Sequence, residues 1–124
     1  MKNKIVSLLS VGLLVLGISG CNSEPKAVDQ AKDKLWWEFQ DNITKATCKP
    51  SEVESVWLID CKTNESNHAL FWVQIHSDTE YTIWAANGKA MQYKDKFTKT
   101  PVSEFYLNGT YPNVEKALKS YSGS

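Results

Sequence analysis

Apolar residues recur along the chain in two periods, and each period predicts a different element. Val28, Ala31, Leu35, Phe39 and Ile43 fall three or four residues apart, the spacing of one side of a helix over about 27–43. Trp36 flanks this stripe. At about 100° per residue, Trp37 falls on the far side from Leu35, among Asp29, Asp33, Lys34 and Asp41. Beyond Cys48-Lys49-Pro50-Ser51 the period shortens to two. Val56–Lys62, Leu70–His76 and Glu80–Ala86 are rich in aromatic and branched residues, and the turn-prone segments Thr63-Asn64-Glu65-Ser66-Asn67 and Ser77-Asp78-Thr79 separate them. These runs predict an antiparallel meander. Asn87-Gly88 is a strong type I′ hairpin signal and predicts a fourth strand near Ala90–Tyr93.

The tail is less regular. Lys94–Pro101 reads as a loop, and Val102–Tyr106 fits either a short strand or a helical turn. Past Pro112, the spacing of Val114, Ala117, Leu118 and Tyr121 fits a short amphipathic helix. The predicted fold class is α+β: an N-terminal helix packed on a three- to four-stranded antiparallel meander, with a short C-terminal helix.

Strand alternation divides the meander into two faces. In the second run Ala69, Phe71, Val73 and Ile75 share one face; in the third Tyr81, Ile83 and Ala85 oppose Thr82 and Trp84, and in the first Trp57, Ile59 and Cys61 oppose Val56, Leu58 and Asp60. Leu70, Trp72, Gln74 and His76 share the other face of the second run, so a second sheet face could carry Leu70, Trp72 and Trp84, with Val56 and Leu58 if the register permits. One long helix covers one face only. Either the C-terminal segment, with Phe105, Tyr106, Leu118 and Tyr121, folds over the second face, or that face is a recognition surface. In the second case Trp72, Trp84 and Leu70, together with Trp37 on the helix, are the candidate partner-binding residues.

Ahead of the helix, Lys2 and Lys4 precede an apolar stretch, Ile5–Ile18, too short and too near the terminus for an ordinary spanning helix. Residues 1–20 read as a secretion signal. The stretch ends in Ile18-Ser19-Gly20-Cys21, an aliphatic residue, two small residues and a cysteine, which resembles the lipobox of bacterial lipoproteins. The resemblance covers only the signal and its cleavage site. It implies cleavage before Cys21, a diacylglyceryl group on the Cys21 thiol, and anchoring without spanning. Two or three acyl chains, at about 0.8 kcal/mol per buried methylene, hold far more tightly than one. An aspartate after the lipidated cysteine marks inner-membrane retention in Gram-negative lipoproteins. Here that position is Asn22, which implies the periplasmic face of the outer membrane. Residues 21–27 then form a lipidated tether, and 28–124 a single small periplasmic domain.

Removing residues 1–20 leaves 104 residues, enough for one compact domain. This part keeps all fourteen acids and twelve lysines, a formal charge of −2, and the chain contains no arginine. Without arginine or a basic stripe, nucleic-acid binding is excluded as a reading. With Cys21 lipidated, Cys48 and Cys61 remain as a pair in a chain bound for an oxidising compartment. They predict a disulfide closing a loop of about fourteen residues, for which chain entropy gives about 3 kcal/mol.

Groups suited to catalysis are sparse. His68 and His76 are the only histidines, and His76-Ser77-Asp78-Thr79-Glu80 occupies a predicted turn, where such side chains serve the backbone. No nucleophile elbow, zinc-binding helix, phosphate loop or calcium loop occurs. Glu52 and Glu54 read as solvated charge, and no residue spacing calls for a metal or other cofactor. The expectation is a non-enzymatic protein-binding or accessory module of the cell envelope. The alternative is a small-ligand or cell-wall glycan binder using exposed tryptophans as stacking platforms. A protein partner predicts a flat apolar patch, and a ligand predicts a concave pocket with convergent polar groups.

Overall fold

The computed structural model describes residues 24–64 and 66–121. The expected signal segment, Cys21 and the start of the tether lie outside these residues, as do Ser122–Ser124. Helix α1 (Lys26–Asn42) buries Val28, Ala31, Leu35 and Phe39 of the predicted stripe and adds Ala27 and Glu38, while Ile43, the last of the stripe, is the half-buried C-cap. The Pro25 carbonyl accepts the amides of Val28 and Asp29 at the helix start. Among the described residues, no helix is long and apolar enough to cross a membrane.

The sheet has five strands in sequential order: β1 (Thr47–Val53), β2 (Val56–Asn64), β3 (Asn67–Ile75), β4 (Tyr81–Ala85) and β5 (Ser103–Glu104). The first four pair antiparallel, and β5 runs parallel to β4. The α+β class is therefore as predicted, and the three predicted strand runs are β2, β3 and β4. β1 extends the meander on the side that the sequence left unassigned. Pro50 sits in this edge strand, where its missing N–H interrupts the row with which a further strand would pair.

The tight hairpin is not where the sequence puts it. Glu54 and Ser55 join β1 to β2 with φ of 53° and 66°, the two positive values that a type I′ turn requires. Asn87 has extended backbone and instead caps α2 (Gly88–Lys94), its side chain accepting the Ala90 amide at 2.9 Å. The same oxygen accepts the Leu70 amide at 3.1 Å, and the Asn87 Nδ2 donates to the His68 carbonyl at 2.9 Å. Bonds to β3 and a helix start together outweigh the local preference for a turn. The expected strand at Ala90–Tyr93 is therefore part of α2. Crossing through α2 lets the chain return as a parallel strand, which a two-residue turn cannot do.

Two cores lie on opposite faces of the sheet. The larger joins α1 and α2 to Ile59, Cys61, Phe71, Val73 and Ile83. Phe39 and Phe71 are fully buried in it, and either cut to alanine costs about 3–5 kcal/mol. The smaller places Phe105, Val114 and Ala117 over Val56, Leu58 and Trp72. Its cover includes α3 (Pro112–Ser120), the predicted C-terminal helix, which starts with proline at its first position. The C-terminal segment thus closes the second face.

Cys48 lies directly opposite Cys61 across the β1/β2 ladder, and the two form a disulfide. The bond ties the edge strand, beside Pro50, to a fully buried position in the larger core.

Candidate functional site

Covering the second face changes which tryptophans are available. Trp72 is 7% exposed, stacked on Trp84 at 5.6 Å and met edge-on by Phe105 and Tyr111 at 5.6 and 5.0 Å. Trp84 is half-buried in the same cluster, and its indole N–H donates to the Gln74 carbonyl oxygen at 3.0 Å. Leu70 is also half-buried. Of the two readings, the open recognition surface gives way at Trp72 and Trp84 to the covered one: Phe105 and Tyr111 of the C-terminal segment pack on both.

Trp37 remains. Helical geometry turns it away from the apolar stripe, and its side of α1 faces water, leaving it 58% exposed. Trp36 meets its ring edge-on at 4.8 Å and gives the indole a packed flank. In front of Trp37 lies a groove of about 490 Å³ between α1 and the strap 97–102 that leads into β5. Lys34 and Asp41 line it from the helix, and Lys99 and Thr100 line it from the strap.

The strap has two attachments. Phe97 packs against Phe39 and Phe71 at 5.8 and 6.2 Å, which fixes one end in the larger core. Glu38 fixes the middle: its carboxylate accepts the successive amides of Thr98, Lys99 and Thr100 at 2.9, 2.8 and 2.6 Å. Asn42 reinforces the junction by donating to the Glu38 Oε1 at 2.8 Å. Glu38 is only 3% exposed. Burial pushes its carboxyl upward, but the converging strap amides outweigh burial and hold it below the ordinary carboxylate range.

A second groove of about 490 Å³ continues along β4, sharing Lys34 and Thr100 with the first. Lys34 sits where they meet, its ammonium 5.3 Å from the centre of the Tyr81 ring. His76, Thr79, Glu80, Thr82 and Ser103 give this end a hydroxyl-rich wall. The turn that carries several of them forms as predicted, with the Ser77 hydroxyl accepting the amides of Thr79 and Glu80.

Another polar cluster belongs to the second face. Buried Asp60 meets the His68 Nδ1 at 2.8 Å and accepts the Tyr121 hydroxyl at 2.9 Å. Burial, and then the neighbouring Asp60 carboxylate, push the Tyr121 hydroxyl up to about 12. An imidazole held by a carboxylate resembles part of a catalytic triad. Among the described residues, however, both His68 side-chain hydrogen bonds go to Asp60. The cluster satisfies a buried acid and pins the end of the C-terminal segment. No group of three His, Cys, Asp or Glu among the described residues is placed to hold a metal ion.

The chain matches no known protein family, characterised protein or solved structure. Its chemistry is therefore read from the grooves. They offer an exposed indole, flexible ammonium groups, carboxylates and hydroxyls, a set suited to holding an extended ligand. Helical spacing placed Trp37 off the apolar stripe, where it is exposed, but did not single out Glu38. The available signal was a carboxylate at the edge of the apolar stripe, three residues after Leu35 and next to Phe39, where an acid is buried only with partners.

Proposed function

We propose that this chain is a non-enzymatic binding module of a Gram-negative cell envelope. Cys21 carries its lipid anchor at the periplasmic face of the outer membrane, and the Trp37 groove holds an envelope component. The anchor rests on the lipobox-like Ile18-Ser19-Gly20-Cys21. One observation carries the binding reading: Trp37 stands 58% exposed at a groove whose far wall Glu38 fastens in place. The part of the indole left in water adds nothing to the core, whereas a ligand seated against it removes that apolar area from water. With the broad aromatic face covered, a flat protein-docking patch loses its main support, and the concave groove favours a chain-like ligand lying along α1.

The test is affinity recovery of the lipidated protein from crosslinked envelopes. Wild type recovers a specific component, and Trp37→Ala loses it while remaining acyl-labelled and membrane-bound. Cys21→Ser loses the acyl label and leaves the membrane. Unchanged recovery by Trp37→Ala rejects the site, and membrane retention of unlabelled Cys21→Ser rejects the anchor.

A further inference from the structure

We infer that the groove takes a neutral carbohydrate chain, one sugar ring stacked on Trp37 and its neighbour directed past Lys34 toward Tyr81. This rests on the binding-module reading above and names its ligand class. Lys34 and Asp41 bracket Trp37 on the same side of α1, a stretch of about 10 Å at 1.5 Å per residue. The second groove then continues beyond Lys34. The site is therefore a trench, suited to a chain of small rigid units. A sugar ring presents a face of C–H groups to an indole and a rim of hydroxyls to its surroundings, and the electron-rich aromatic face attracts those C–H groups.

Charge excludes the polyanionic classes. Lys34 and Lys99 are balanced by Asp41 and Glu80, and the strap amides occupy the Glu38 carboxylate, so the trench has no net positive field. The chain has no arginine to fork a carboxylate or phosphate. Peptides fit less well. An extended peptide needs a free strand edge or alternating apolar pockets, whereas Thr79 and Ser103 supply hydroxyls that both donate and accept, as sugar hydroxyls require, beside a Thr82 hydroxyl bonded to His76 and a Thr100 side chain bonded to Glu38.

The experiment is a tryptophan-fluorescence titration of the full lipidated protein in detergent. The probes are β-linked N-acetylglucosamine oligomers, glucose oligomers and a polygalacturonate fragment. The expected result is saturable binding to a neutral oligomer that tightens with chain length and does not weaken with salt. Trp37→Ala should weaken it about tenfold or more, and Trp37→Phe should restore part of the loss. No saturable binding to either neutral series, or salt-sensitive binding to the acidic fragment alone, overturns the ligand class. If Trp37 is still needed for recovery from envelopes, the binding site survives and only the carbohydrate assignment fails.

Discussion

Glu38 and Thr100, 62 residues apart, meet through a 2.6 Å hydrogen bond from the Thr100 amide to the Glu38 carboxylate. That bond and its two neighbours fasten the strap 97–102 to α1 beside the Trp37 groove. They convert one helix side chain into the support of a binding-site wall.

Replacing Glu38 with glutamine puts an amide NH₂ among three amide donors and should cost about 1–3 kcal/mol. A carboxyl held low in the fold contributes fully above its ordinary range and loses that contribution as pH falls through its folded-state value. Wild type should therefore lose stability on acidification through and below the carboxylate range, and Glu38→Gln should lose less. Urea unfolding at neutral and acidic pH measures both. An equal acid loss in the variant would show that Glu38 is not the group responsible.

The two classes of tryptophan separate by melting. Trp72→Ala removes a side chain packed beneath Phe105 and Tyr111 and should cost about 3–5 kcal/mol. Trp37→Ala, at an exposed helix position, should change stability by no more than about 0.5 kcal/mol. Comparable losses at both positions would mean that Trp37 belongs to the core.

Much of this division was legible in the sequence. Alternation placed Phe71, Val73 and Ile83 opposite Trp72 and Trp84, and helical spacing put Trp37 outside the stripe. Cover by the C-terminal segment, with Phe105, Leu118 and Tyr121, was one of the two readings the alternation allowed; the part played by Tyr111 was not legible, because it gains its meaning only when brought beside Trp72. The hairpin site was misread for a related reason. Asn87 has strong turn propensity but makes long-range bonds to β3, while Glu54 and Ser55 adopt positive φ without advertising it. Glu38 escaped notice because its partners are backbone amides about 60 residues away, which no side-chain pattern announces.

The Glu54-Ser55 turn should accept improvement. Asparagine and glycine tolerate positive φ better, so the double substitution Glu54→Asn, Ser55→Gly should stabilise the fold by about 1 kcal/mol. The melting temperature should rise by roughly 4–8 °C for a domain of this size. A fall would mean that the turn is held by side-chain contacts rather than backbone preference.

Opening the Cys48–Cys61 bond should release the edge strand from the larger core. The double serine variant is expected to lose about 2–5 kcal/mol in denaturant unfolding. Free thiols in unreduced protein, detected by mass spectrometry, would contradict the pairing itself.

Site-specific photo-crosslinking in intact envelopes tests the binding function most directly. A photoreactive residue in place of Asp41, which lines the groove beside Trp37, should give a light-dependent adduct, and the same residue in place of the exposed Tyr106, which lies outside both grooves, should give none. Loss of the adduct after glycan digestion would identify a carbohydrate partner, and a protease-sensitive adduct would identify a protein. No adduct at position 41, or equal adducts at both positions, would contradict the assignment of the Trp37 groove as the binding site.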